Sequence, residues 1–216
     1  MSNTDRKKPL SRPKIHPLMA IGAATAIVIA IALILWLQAR VPPLSTARLA
    51  SDPSLGSPSA KVTVIEYGDF GCPTCRGWEQ AGVSKQIVAV YGDQVHFVWR
   101  DYPIITAQSP KAAEAGQCAF DQGKFWQYHD LLYAKAPALA VSDLKGYAAQ
   151  LGLNTTQFDQ CLDLGQDKAK VDQSIREAQQ YGFVGTPSFL INGQKLIGPA
   201  SFEKFKSVID PLLAGG

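Results

Sequence analysis

Two cysteines, in Cys72-Pro73-Thr74-Cys75, are the residues of this chain best suited to chemistry. A β-branched run from Lys61 to Tyr67 precedes them, and a helix-forming run from Arg76 to Tyr91 follows. At the start of a helix, thiols spaced this way share one face and lie within reach of a disulfide. The thiol nearer the helix N-terminus also meets unpaired N–H groups and the positive end of the peptide dipoles, and both favour thiolate over thiol. Cys72 is therefore the expected attacking sulfur and Cys75 the resolving one. The chemistry is thiol–disulfide exchange.

Other uses of the pair fit less well. A zinc site usually supplies a second close pair of Cys or His. The remaining cysteines, Cys118 and Cys161, lie far apart in the chain and lack ligand-type neighbours at knuckle spacing. A cysteine hydrolase needs a His base. His16 precedes the apolar N-terminal run, His96 lies in a strand pattern, and His129 belongs to the aromatic helix pattern Phe125 to His129, where packing is the expected role. Soft thiolates also suit Cu(I), so a non-catalytic copper or thiol carrier stays open, although Met1 and Met19 are the only methionines. No metal site is assigned.

The elements that position the pair belong to an exported domain. Leu18 to Leu37 is uncharged and rich in Ala, Ile and Leu. At about 1.5 Å per residue it spans about 30 Å, the hydrocarbon thickness of a bilayer. Trp36 stands at the interface end, and Arg6, Lys7, Lys8, Arg12 and Lys14 precede the run against the single acid Asp5. That bias holds the N-terminus in the cytoplasm and sends the rest outside. The expected organisation is a basic tail (1–17), a transmembrane helix (18–38), a Pro/Gly-rich linker (39–59) and one domain (60–216). A cleaved signal peptide is the competing reading, with Ser45-Thr46-Ala47 as its cleavage site; it exports the same domain. The overall charge of +3 arises from the tail, the domain itself being acidic. No basic stripe with interleaved aromatics points to nucleic acid.

Within the domain, the pattern predicts a strand over 61–67, a helix over 73–91 stopped by Gly92, and a strand over Val95–Arg100, a βαβ unit with parallel strands. Ser109-Pro110 reads as N-cap and N1 of a helix. Helices follow over 124–135, after Ser142, from Asn154 or Thr155, and over 167–181. Asn192-Gly193 joins two short strands, 188–191 and 195–197, as a hairpin, and Ser201 caps a last helix over 202–213.

This order, with CxxC where the first helix starts, resembles the DsbA-like thiol oxidoreductases. Their α/β fold is the thioredoxin fold, a central sheet flanked by helices, with an inserted helical subdomain, here at about 105–180. The resemblance rests on Ser54 to Ala60, on Ile65 to Cys75, on Phe97 to Pro103, on Cys118 to Trp126 and on Gly185-Thr186-Pro187-Ser188-Phe189. It implies that Pro187 is cis and guards the dithiol, and that Thr186 offers its backbone to an extended substrate. It also places Glu66 at the family's buried acid, a proton relay for Cys75. Strand alternation alone allows an outward-facing Glu66 equally. Arg100 is a weaker candidate partner for Glu66.

The same resemblance implies a structural disulfide between Cys118 and Cys161, worth roughly 4 kcal/mol in the chain-entropy model; two free buried cysteines are the alternative. The implied protein is a single-pass protein of the bacterial inner membrane with its catalytic domain in the periplasm or outside the cell. It would act on thiols of unfolded or folding exported proteins, most simply as a disulfide-forming oxidase. A membrane redox partner, a quinone-linked oxidase or an electron carrier, would recycle it. No separate cofactor is needed, because the cysteines carry the electrons. Thr74 between them leaves the reductase and isomerase directions open.

Overall fold

The computed structural model describes residue 49 and residues 51–215. The expected tail and membrane-spanning helix (18–38) lie outside these residues, and among the described residues no helix is long and apolar enough to cross a membrane.

Two β-branched runs become the centre of a five-stranded sheet. The strands are β1 (Ser54–Leu55), β2 (Val62–Gly68), β3 (Val95–Asp101), β4 (Ser188–Ile191) and β5 (Gln194–Ile197), in the spatial order β1-β3-β2-β4-β5. β2 and β3 are parallel, from Val62 opposite Val95 to Gly68 opposite Asp101. The remaining pairs are antiparallel. The β4–β5 hairpin turns through Asn192 (φ 45°) and Gly193 (φ 85°). Positive φ at both central residues makes the turn that matches strand twist.

Helices α1 (Pro73–Gln80) and α2 (Val83–Tyr91) follow β2, and the helical block comprises α3 (Ser109–Phe120), α4 (Phe125–Lys135), α5 (Val141–Gln150), α6 (Thr155–Leu164) and α7 (Lys168–Gln180). Helix α8 (Phe202–Ala214) ends the fold. One face of the sheet packs Val62, Val64, Phe97 and Phe189 against Trp78 and Ile87 of α1 and α2 and against Phe205 and Ile209 of α8. The other packs Ile65, Tyr67, Val98 and Leu190 against Ala178, Tyr181 and Phe183. With both faces covered, every residue of β3 and all of β2 except Thr63 are buried. This is why β2 reads as a near-continuous apolar run.

The structure corrects several expectations. The helix expected over 73–91 is two, because Gly82 takes φ 73°, a left-handed conformation that ends α1 and restarts the chain as α2. The linker expected over 39–59 is shorter: Ser54 and Leu55 pair with Val98 and Phe97 at the sheet edge. Asp52 is buried there against Arg100, at 2.9 Å. Arg100 does not reach Glu66; its other partners are Glu177 and the Tyr67 hydroxyl. Helix α5 begins after Ala140 rather than at Ser142, with the Asp143 carboxylate accepting from the Ala140 N–H at 3.1 Å. Helix α3 starts one residue early, at Ser109, whose hydroxyl accepts from the Thr106 N–H at 3.1 Å.

Candidate active site

The loop from Asp69 to Gly71 delivers the chain from β2 into α1, and a side chain that sequence reasoning missed shapes it. Buried Asp69 accepts from the Gly71 N–H at 2.7 Å through one carboxylate oxygen. The other accepts from the N–H groups of Ile104 and Ile105 at 2.8 Å each. The Asp69 carbonyl takes the Cys72 N–H at 3.0 Å. Three backbone donors on one carboxylate tie the turn before Cys72 to the loop after β3. An Asp two residues before a Gly is an Asx-turn signal, the one local clue to this role. Gly71 is required by closeness: a Cβ there would stand 2.4 Å from Ser109 Oγ.

Cys72 is the N-cap of α1, and its sulfur accepts from the Cys75 N–H at 3.4 Å. Both thiols are free; Cys72 is 4% exposed and Cys75 fully buried. The Cys72 thiol is drawn down to about 5, first by the hydrogen bond from the Cys75 thiol, then by the Thr186 side chain and the N–H groups of Cys75 and Thr74, against the opposing effect of burial. Cys75 is pushed strongly upward, by burial first, then by donating to Cys72 and by the nearby Glu66. One sulfur is ionised at neutral pH and the other keeps its proton.

Thr186 and Pro187 stand against the pair. The Thr186–Pro187 peptide is cis, and the Thr186 carbonyl lies 3.4 Å from Cys72 Sγ. Residues 184–186 precede β4 and join no strand, and Val184 is 86% exposed.

Glu66 lies inside, on the same face as Val62 and Val64 and opposite Trp99 and Phe189 of the neighbouring strands. Neither of its oxygens has a donor among the described residues. It faces the Glu79 carboxyl, to which it can bond only by carrying a proton. Burial first, then the Glu79 charge and hydrogen bond, then Cys72, raise it well above the carboxylate range. Glu79 in turn accepts from Ser84 Oγ at 2.6 Å. Sequence reasoning missed Glu79 because its partner lies on a strand rather than on its own helix.

Cys118 on α3 and Cys161 on α6 form a disulfide with Cα atoms 5.9 Å apart. It sits in the core of the helical block among Phe125, Leu132, Phe158 and Leu162, in the same apolar cluster that reaches Cys72 and Cys75. Replacing both cysteines by alanine should lower unfolding free energy by about 2–4 kcal/mol, read by denaturant titration, with the Cys72–Cys75 exchange chemistry retained.

Beside the dithiol, on the opposite flank of α1 from the Phe70–Gly71 loop, runs an apolar groove of about 510 Å³ lined by Thr74, Gly77, Trp78, Ala200 and Phe202 among others. Trp78 Nε1 donates to the Ala200 carbonyl at 2.7 Å and closes its floor.

The family profile described as Thioredoxin matches residues 49–211. The chain belongs to the thioredoxin family. Its dithiol at the start of α1, cis-Pro187 and helical block between β3 and β4 give it the DsbA-like form of that fold. It superposes with TM-score 0.68 on a thioredoxin-like oxidoreductase from Silicibacter pomeroyi DSS-3, at 31% identity over 76% of this chain and 92% of that one. Wolbachia pipientis alpha-DsbA1 shares the fold with TM-score 0.65, at 23% identity over 76% of this chain and 92% of that one. Among curated proteins, the Na(+)/H(+) antiporter NhaA 1 of Salinispora arenicola (strain CNS-205) is 32% identical over 202 residues, 85% of this chain. The chain spans 30% of that relative's length.

Proposed function

We propose that this oxidoreductase works as a disulfide-forming oxidase on exported proteins, tethered to the outer side of the bacterial cytoplasmic membrane. The observation that carries the direction is the acidity of Cys72, at about 5. That value lies between about 7 for a reductant such as thioredoxin and about 3.5 for the strongest oxidant of this type. A depressed thiol pKa stabilises the reduced form above it. The stabilisation is complete above the free-thiol pKa of about 9 and is lost as pH falls through about 5. At pH 7 it amounts to about 2.7 kcal/mol, which makes the couple about 60 mV more oxidising.

In the proposed reaction a substrate thiolate attacks Cys72 of the Cys72–Cys75 disulfide, the S–S bond breaks, and Cys75 leaves and takes a proton. The substrate's second thiolate then attacks the mixed disulfide, its own disulfide forms, and Cys72 leaves as a stable thiolate. Two electrons pass from substrate to the cysteine pair. Glu66 supplies the proton to Cys75. The substrate chain lies extended along residues 184–186, bound through backbone groups as an added strand, with apolar side chains in the groove over Trp78. A quinone-linked membrane oxidase, or in the reverse direction an electron carrier, resets the pair.

The tether rests on the apolar run from Leu18 to Leu37 and on relatives in which a matching segment belongs to a membrane antiporter. The reductase reading keeps one argument: no cation is among the groups that lower Cys72. A copper carrier is disfavoured because, among the described residues, no third Cys, His or carboxylate joins Cys72 and Cys75 at ligand spacing. Equilibrating the full chain in detergent with glutathione buffers decides the direction. A potential well above −270 mV, toward −120 mV, is expected for the oxidase, and one near −270 mV would establish the reductase instead.

A further inference from the structure

A second hollow adjoins Cys72 on the flank of α1 away from the Trp78 groove. It encloses about 260 Å³ and is lined by Phe70, Gly71, Cys72, Pro73, Ala136 and Pro137, with Arg76 the one charged side chain of its lining among the described residues. Cys72 and Arg76 are one helical turn apart, with the Arg76 N–H donating to the Cys72 carbonyl at 3.0 Å. Helical side chains lean toward the N-terminus, and both residues line this hollow. Arg76 Nη1 donates to the Ala136 carbonyl at 2.6 Å, which fixes the fork across the hollow. A guanidinium anchored by one N–H keeps its other donors for a planar acceptor. The apolar walls limit water around that acceptor and strengthen the pairing.

We propose that this hollow is a specificity subsite that takes the carboxylate of an Asp or Glu side chain flanking the substrate cysteine, with Arg76 as the residue that reads it. The inference rests on exchange at Cys72 and adds a preference to it. A flanking residue is within reach because the substrate cysteine must approach Cys72 itself, which lines the same hollow. The apolar groove on the other flank then takes side chains on the far side of the cysteine. The enzyme therefore reads a short sequence with opposite character on its two sides.

The test uses the oxidised full-length protein and three peptides that differ only in carrying Glu, Gln or Lys on both sides of one cysteine. Second-order rate constants for attack on the Cys72–Cys75 disulfide, read as formation of the peptide–Cys72 mixed disulfide in acid-quenched samples, are divided by each peptide's rate with a small neutral disulfide, which removes differences in peptide thiol acidity. The wild type is expected to favour Glu over Gln by about fivefold and Gln over Lys by a similar factor, with both preferences shrinking as salt rises. Arg76→Gln should abolish the Glu preference, and Arg76→Glu should reverse it in favour of Lys. Equal normalised rates for the three peptides with wild-type protein overturn the subsite whatever the variants do. A preference that persists unchanged in Arg76→Gln overturns the assignment to Arg76. Absence of exchange with every peptide would instead count against the proposed reaction at Cys72, so the two failures are distinguishable.

Discussion

Cys75→Ser is expected to accumulate mixed disulfides with client proteins, visible as thiol-sensitive adducts on non-reducing gels, while Cys72→Ser forms none. The asymmetry follows from two environments three residues apart. Cys72 caps α1, sees the N–H groups of Thr74 and Cys75, and is drawn down to about 5, so at pH 7 it is almost entirely thiolate. Cys75 is fully buried, pushed far above the free-thiol value and therefore protonated. Since the thiolate is the nucleophile, Cys72→Ser should lower the rate of exchange by at least about 10⁴-fold. Cys75→Ser leaves the first attack intact and removes the intramolecular exit. The pH dependence is signed: alkylation of Cys72 by a neutral reagent should be nearly flat above pH 6 and fall about tenfold per pH unit below about 5. A midpoint near that of a free thiol would remove the basis for both the nucleophile assignment and the oxidising direction.

The parts of this arrangement that were legible beforehand are those encoded locally. Cys72 and Cys75 sit where a strand pattern gives way to a helix pattern, and Asn192-Gly193 carries the backbone freedom its hairpin requires. Pro187 and the Cys118–Cys161 bridge were legible only through family resemblance, since neither a cis bond nor a disulfide partner can be read from residue types. What escaped was set by tertiary partners. Asp52 and Glu177 converge on Arg100 from 48 and 77 positions away; one lies in the expected linker and the other on a helix whose packing partner no local pattern names. Two residues of β1 are too few to show a strand period, and the pairing with β3 decides their conformation. Gly82 falls inside the helix expected over 73–91, yet α1 stops there and α2 turns its Val83 and Ile87 toward Phe97 on the sheet. The hollow at Arg76 joins α1 to a carbonyl 60 residues away, so no motif announces it.

Glu66→Gln should slow the steps in which Cys75 gains or loses its proton by about 10²- to 10³-fold while leaving Cys72 acidic, because the amide keeps the shape of the carboxyl but cannot transfer a proton. Cys75 has no exposed surface and a bound substrate covers the Cys72 side, so its proton must pass through the interior. Glu66 is the titratable group that acts on it from β2, and Glu79, Asp69 and Tyr133 surround the same space. Beyond Glu66 lies Glu79, and a cleft of about 250 Å³ lined by Glu79, Lys85, Asp130 and Tyr133 leads from there to solvent. Rapid-mixing kinetics on the oxidised protein would show the loss in the step that releases Cys75, with Cys72 alkylation unchanged. Stability gives an independent sign. The folded pKa of Glu66 is raised, so its contribution to the reduced fold is fully present below the unfolded carboxylate value and is lost as pH rises toward the folded one. In Glu66→Gln that decline should be absent, leaving the reduced variant more stable than wild type at alkaline pH in thermal unfolding. If the variant instead tracks wild type in both exchange rate and pH-stability profile, the carboxyl at the centre of the sheet is a packing feature and the proton reaches Cys75 by another path.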